Sequence, residues 1–305
     1  MKGPRNIPAS VRTRLTNRAK ANNENVQLVL LRYAIERLLY RLSRSEYADR
    51  FVLKGAMLFN LWAEVPYRAT GDLDLLGYGD STAARLVDTF KAVCATDVET
   101  DGVEFLAETV RAEQARENDE YQGVRVTLEA RIAGARLSLQ IDIGFGDVIV
   151  PQAQEIEYPV LLEFPAPRLR AYPRETVVAE KFQAMVRFAA LMSRMKDFYD
   201  LWAIATIFDF EGPVLAEAIR ATFERRGTIL PRQTPDALAP EFADNPTKQA
   251  QWQGFLRRTA IAMAPKPLPV ILAKIRQFAM PPTTAVAKGD SFTGTWPPGG
   301  PWRAR

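Results

Sequence analysis

Residues 123–143, GVRVTLEARIAGARLSLQIDI, constrain the fold more than any other stretch. Val124, Val126, Leu128, Ala130 and Ile132 alternate with polar residues, Ala-Gly intervenes, and Leu137, Leu139, Ile141 and Ile143 alternate again. A period of two places one apolar face on a core, so the segment reads as a β-hairpin turning at Gly134. Its second arm carries Arg136, Ser138, Gln140 and Asp142 on the polar side. A second short alternation, DLDLL at 72–76, reads as another strand with Leu73 and Leu75 inward and Asp72 and Asp74 outward.

Around these strands the pattern turns helical. VQLVLLRYAIERLLYRL (26–42) places Leu28, Leu31, Ala34, Ile35, Leu38, Leu39 and Leu42 on one stripe, with Arg32, Glu36, Arg37 and Arg41 opposite. FVLKGAMLFNLW (51–62) reads as a short strand, a turn at Gly55 and a helix, and 82–95 as a further helix. After a Pro-bearing stretch at 151–173, helices are predicted near 174–192, 195–208, 212–226, 247–262 and 268–279. The expected class is α+β: a core with a small mixed sheet over 1–150, a mostly helical domain over 151–280, and a disordered Pro/Gly-rich tail over 281–305. With 305 residues the chain is about two domains long. No internal repeat is evident.

Zero histidines and a single cysteine, Cys94, narrow the chemistry. Serine-histidine triads, histidine general bases, most zinc and haem sites and an internal disulfide are excluded. Carboxylates, lysines, arginines, hydroxyls or an oxygen-held hard metal remain. No run approaches the ~18 apolar residues of a membrane span, and MKGPRNIPASVRTR has no apolar signal-peptide core, so a soluble, cytoplasmic protein is expected. Residues 1–20 carry six Lys or Arg and no acid, and 257–305 carry eight against Asp290 alone, leaving the middle acidic. Basic ends suit a polyanion and an acidic middle suits a cation, the alternative being two solvated termini.

Asp72 and Asp74, two apart on one strand, share a face with Cα atoms about 7 Å apart. Asp142 repeats the arrangement between Ile141 and Ile143. If the strands adjoin, three acids converge, and like charges at ~4 Å cost roughly 1 to 4 kcal/mol per pair without a counter-ion. A divalent Mg2+ or Mn2+ held by oxygen alone supplies that counter-charge. Each acid taken singly is an ordinary solvent-facing residue.

VLKGAMLFNLW, YRATGDLDLL, LQIDIGFGD, VVAEKFQAM and SRMKDFYDLW, in this order and spacing, resemble the AbiEii nucleotidyltransferase toxins of bacterial abortive-infection, type IV toxin-antitoxin systems. The resemblance covers most of residues 10–280. It implies a nucleotidyltransferase-fold core followed by a helical domain, and a metal-dependent toxin that transfers NMP from an NTP to a cellular acceptor. The favoured acceptor is RNA, above all the tRNA 3′ end; the alternatives are a protein hydroxyl and a non-catalytic nucleotide- or partner-binding module. The resemblance further implies metal binding by Asp72, Asp74 and Asp142, and catalytic roles for Asp72, Asp74, Lys181, Asp197 and Asp200. One of Asp197 and Asp200 would be general base or orient the acceptor hydroxyl. Nucleotide binding falls to Lys54, Gly55, Ala56, Thr70, Lys181 and Lys196. Taken without the resemblance, Lys181 is a solvated helix lysine, and Lys196 with Asp200 a plain i,i+4 pair worth ~0.3 to 0.5 kcal/mol. Two departures from the family pattern stand out: Ala56 where the turn usually carries Gly or Ser, and Gly71 where relatives often have arginine. A cognate antitoxin from a neighbouring gene is the expected protein partner, with no membrane involved.

Overall fold

Strand pairing begins where the alternation predicts it. The computed structural model describes residues 6–62, 70–115, 123–259 and 266–304, which divide into two units. The first takes its described residues from 6–62, 70–146 and 154–171, and the second from 147–153 and 172–304.

In the first unit, helices α1 (Ile7–Ala21) and α2 (Val26–Arg44) precede strand β1 (Phe51–Lys54), a 3-10 turn over Gly55–Met57 and the short helix α3 (Leu58–Trp62). Strand β2 (Asp72–Gly77), helix α4 (Ala83–Cys94) and strands β3 (Glu104–Ala115), β4 (Gly123–Ile132), β5 (Ala135–Phe145), β6 (Gln154–Glu157) and β7 (Arg168–Ala171) follow. The seven strands form one mixed sheet in the order β3-β4-β5-β2-β1-β7-β6. The β4–β5 turn places Ala133 and Gly134 at φ 45° and 80°, the positive values a two-residue hairpin turn requires. Leu53, Leu73, Leu75, Val124, Val126, Leu139, Ile141 and Ile143 are all buried on one face, which α1, α2 and α4 pack against. The opposite face carries the acids.

The polar stripe of α2 is not solvated. Glu36, Arg37 and Arg41 are buried with Asp101. Arg41 Nη1 and Arg37 Nε lie 2.6 and 3.2 Å from Asp101 Oδ2. Glu36 Oε2 accepts the Leu161 N–H at 2.7 Å, and Arg37 donates to the Pro165 carbonyl at 3.0 and 2.9 Å. A buried charge persists when each lone pair and proton finds a partner, and here α2 takes its partners from the 98–103 and 158–167 loops. Burial pushes the Glu36 carboxyl up to about 7, the Leu161 N–H and Arg37 opposing it.

The second unit contains α5 (Arg174–Phe188), α6 (Met195–Ile207), β8 (Phe210–Glu211), α7 (Gly212–Arg225), α8 (Pro240–Asp244), α9 (Pro246–Arg258), α10 (Leu268–Lys288) and β9 (Thr295–Trp296). Residues 260–262 of the helix expected over 247–262 lie outside the described residues. Two expectations need correction. Residues 154–171 join the sheet rather than the helical unit, because β7 pairs parallel with β1 and β6 pairs with β7. Residues 281–304 are not a disordered tail. Helix α10 continues through Pro281 and Pro282 to Lys288, and β9 then pairs with β8. Pro282 has no N–H for the Phe278 carbonyl one turn back, and the Trp302 indole N–H donates to that carbonyl at 2.8 Å instead. Trp296 is buried and donates to the Ala205 carbonyl at 2.7 Å, while Phe278 contacts the rings of Phe210, Trp296 and Trp302. Aromatic burial overrides what Pro and Gly content suggests.

Candidate functional site

In the first unit, β2 presents Asp72 exposed and Asp74 half-buried on the open face, between β1 and β5. Register sets Lys54 opposite Asp74 on β1 and Asp142 opposite Asp74 on β5. Thr70 Oγ1 accepts the Asp72 N–H at 3.4 Å, tying down the start of the strand. Residues 67–69 of the motif YRATGDLDLL lie outside the described residues. Gly71 has the opposite parity and faces α2: a Cβ there would meet Leu31 Cδ2 at 3.0 Å and Leu28 Cδ1 at 3.5 Å.

Gly55 has φ 71°, and a Cβ built on it would lie 2.0 Å from Asp74 Oδ2. The acid therefore occupies the space a side chain would need, and only glycine satisfies both the backbone and the contact. Ala56 is buried in the same turn. The turn thus abuts Asp74, and Asp72, two residues earlier on β2, projects from the same face, a pair of carboxylates of the type that hard divalent ions accept.

Asp142 has a different environment. Arg125, its register partner on β4, donates from Nε to Oδ1 at 2.8 Å and from Nη2 to Oδ2 at 3.1 Å, and Gln140 donates to Oδ2 at 3.0 Å. Both oxygens are thus engaged within the protein. Among the described residues no group of three acidic, cysteine or histidine side chains is arranged to hold a metal. The polar face of the second arm already holds Gln140 beside Asp142 in the sequence, whereas Arg125 is not evident there as a partner, although counting the hairpin ladder back from Ala133-Gly134 pairs it with Asp142.

In the second unit, α5 and α6 bring Lys181, Asp197 and Asp200 together. Lys181 Nζ lies 2.6 Å from Asp197 Oδ1 and 2.9 Å from Asp200 Oδ2, and both carboxylates are fully buried. Arg194 Nε lies 2.8 Å from Asp197 Oδ2. Burial alone would raise the Asp197 carboxyl, but Lys181 and Arg194 outweigh it and hold it below the usual carboxylate range. Lys181 is thus no solvated lysine, and Asp200 is paired with Lys181. Lys196 is exposed. Tyr172, Glu180, Asp147 and Arg226 form a neighbouring group: Tyr172 donates to Glu180 at 3.1 Å, and Arg226 lies 3.2 Å from Glu180 and 2.9 Å from Asp147.

The basic ends are partly committed inside their own units. Arg12 donates to the Ala133 carbonyl and Arg18 to the Leu161 carbonyl, while Arg14 pairs with Glu163. Lys274 and Arg276 donate to the carbonyls of Gly299 and Leu238. Lys2 and Arg5 lie outside the described residues.

The family model described as nucleotidyl transferase AbiEii toxin, type IV TA system, matches residues 37–274, a span that takes in the Gly55 turn, the strand acids and the Lys181 cluster. The chain belongs to this family. Two crystal structures from Helicobacter pylori are similar to it. A nucleotidyltransferase candidate is 12% identical over 86% of this chain and 96% of its own, with a TM-score of 0.49. The protein JHP933 is 13% identical over 86% and 93%, with a TM-score of 0.48. No curated protein sequence matches this chain. Among the described residues no helix is long and apolar enough to cross a membrane.

Proposed function

We infer that the chain is a toxin that transfers a nucleoside monophosphate from an NTP to cellular RNA, with the tRNA 3′ end as acceptor. One observation carries the reading: Asp74 Oδ2 sits where a Gly55 side chain would be, so the acid and the turn form a single cradle. Backbone N–H groups of such a turn attract phosphate oxygens. Asp72 and Asp74 would hold Mg2+ or Mn2+, which when bound stabilises charge on the attacking and leaving oxygens. Asp142 is left out of that ligand set because Arg125 and Gln140 occupy its oxygens. Lys54, opposite Asp74, offsets acidic charge beside the cradle. Lys181, Asp197 and Asp200 enter the reading through the family, as a prebuilt ammonium-carboxylate group. Toxicity then calls for restraint by an antitoxin encoded alongside.

The test is incubation of the protein with each α-labelled NTP together with total RNA and total protein from cells. We expect label from one NTP in the RNA fraction, resolved at tRNA length, and none with Asp74→Asn. Label in protein would overturn the acceptor, and equal labelling by wild type and Asp74→Asn would overturn the site.

A further inference from the structure

The open face of the sheet holds a charged row that runs across five strands. Pairing register aligns Lys54 on β1, Asp74 on β2, Asp142 on β5, Arg125 on β4 and Glu113 on β3. Residues directly opposite one another project from the same face, so these five side chains rise from one line. The next row on that face is Asp72, Gln140, Thr127 and Arg111. With strands about 4.8 Å apart, Arg125 stands about 10 Å from Asp74, Cα to Cα, with Asp142 between them.

The guanidinium of Arg125 is held by one edge only. Nε and Nη2 bond the Asp142 carboxylate side-on. Nη1 makes no hydrogen bond to any described residue, and the side chain is 39% exposed. A planar guanidinium clamped along one edge keeps its remaining N–H groups fixed in direction, which favours binding of a phosphate oxygen. Asp142, and at longer range Asp72, push the Arg125 guanidinium above its ordinary value, so it stays charged.

We propose, building on the transfer reading above, that Arg125 is the anion-binding residue of this face, its Nη1 edge engaging the triphosphate of the nucleotide. Asp142 is then a positioning residue that aims the guanidinium, and not a third metal ligand. A fixed cation at this place does part of what a more highly charged metal centre would do: it offsets the negative charge of a triphosphate arriving beside Asp72 and Asp74.

Calorimetric titration of the four NTPs and of inorganic tripolyphosphate, each in Mg2+ and in EDTA, tests this in wild type, Arg125→Gln, Arg125→Lys, Asp142→Asn and the Arg125→Gln/Asp142→Asn double variant. Arg125→Gln should weaken NTP and tripolyphosphate binding about tenfold or more in both conditions, the scale of one charge-assisted hydrogen bond. Arg125→Lys should fall between, since it keeps the charge and loses the fork. The double variant should bind no more weakly than Arg125→Gln, because Asp142 acts through the arginine. The Mg2+ concentration that half-saturates NTP-dependent thermal stabilisation should be the same in Asp142→Asn as in wild type. Unchanged NTP affinity in Arg125→Gln, in a wild type that binds NTP, overturns the proposal alone. Loss of NTP affinity without loss of tripolyphosphate affinity overturns the phosphate assignment. A raised Mg2+ midpoint in Asp142→Asn returns Asp142 to the metal and overturns its positioning role. A wild type that binds none of the four NTPs overturns the transfer reading itself.

Discussion

The Lys181 ammonium sits 2.6 Å from Asp197 Oδ1 and thereby joins α5 to α6 at a carboxylate with no solvent exposure. Removing the lysine takes its positive charge away from Asp197 and Asp200, both fully buried, with Arg194 Nε still 2.8 Å from Asp197 Oδ2. Breaking one side of such a group costs on the order of 3 to 5 kcal/mol. Lys181→Ala should therefore lower the urea midpoint of unfolding markedly. A midpoint within error of wild type would mean that the two carboxylates find other counter-charge, and any activity lost in that variant would be chemical.

Stability should also fall from mildly acidic to alkaline pH because of Glu36. Its folded value of about 7 lies above the ordinary 4.5. The native state therefore binds more protons than the unfolded chain between those values, and the stability this confers is complete below about 4.5 and lost as pH rises through 7. The shift corresponds to about 3 kcal/mol. Glu36→Gln keeps an acceptor for the Leu161 N–H and carries no charge to desolvate. Urea midpoints at pH 5 and pH 8 should differ in wild type and converge in Glu36→Gln; equal slopes in the two proteins would place the pH dependence elsewhere.

Gly55→Ala should abolish nucleotide transfer while leaving most of the fold intact. The new methyl would lie 2.0 Å from Asp74 Oδ2, on a backbone at φ 71°. A left-handed alanine costs about 1 kcal/mol, and the overlap is relieved only by moving the acid. Labelled-NTP transfer measured beside a thermal melt separates the two effects: a small drop in melting temperature with full activity would mean that Asp74 need not occupy this position.

Trp302→Phe should destabilise the helical unit by about 1 to 3 kcal/mol, the cost of a buried carbonyl left without a donor. Phenylalanine keeps most of the ring contacts to Phe278, Phe292 and Trp296. The loss would thus report the missing indole N–H. Melting of Trp302→Phe beside Trp296→Phe, which removes the bond to Ala205, compares the two donors.

Alternation was sufficient to place β2, β4 and β5, because a strand with one buried face writes its period directly into the sequence. The turn at Gly55 was legible for the same local reason. Strand β3 was not anticipated, since EFLAETVRAEQA mixes polar and apolar residues irregularly around the register shift between Leu106 and Arg111. Periodicity sets the charged stripe of α2 opposite its apolar one but does not display its burial, because its partners, Asp101, Leu161 and Pro165, lie 60 to 128 residues away. Lys181 looked solvated for the same reason: a sequence displays a charge but not the distant carboxylates that neutralise it. The segment after Pro281 misled because Pro and Gly content describes backbone preference, whereas Trp296 and Trp302 decide the outcome through packing.

The bond from Trp302 to the Phe278 carbonyl also has a bearing on synthesis. A ribosome delivers the chain N-terminus first, so all seven strands of the sheet and both acids of β2 emerge long before Trp302. Until that tryptophan arrives, the proline step in α10 exposes an unanswered carbonyl. A nascent chain that has reached only residue 301 therefore holds every strand of the sheet together with an α10 whose proline step is still open.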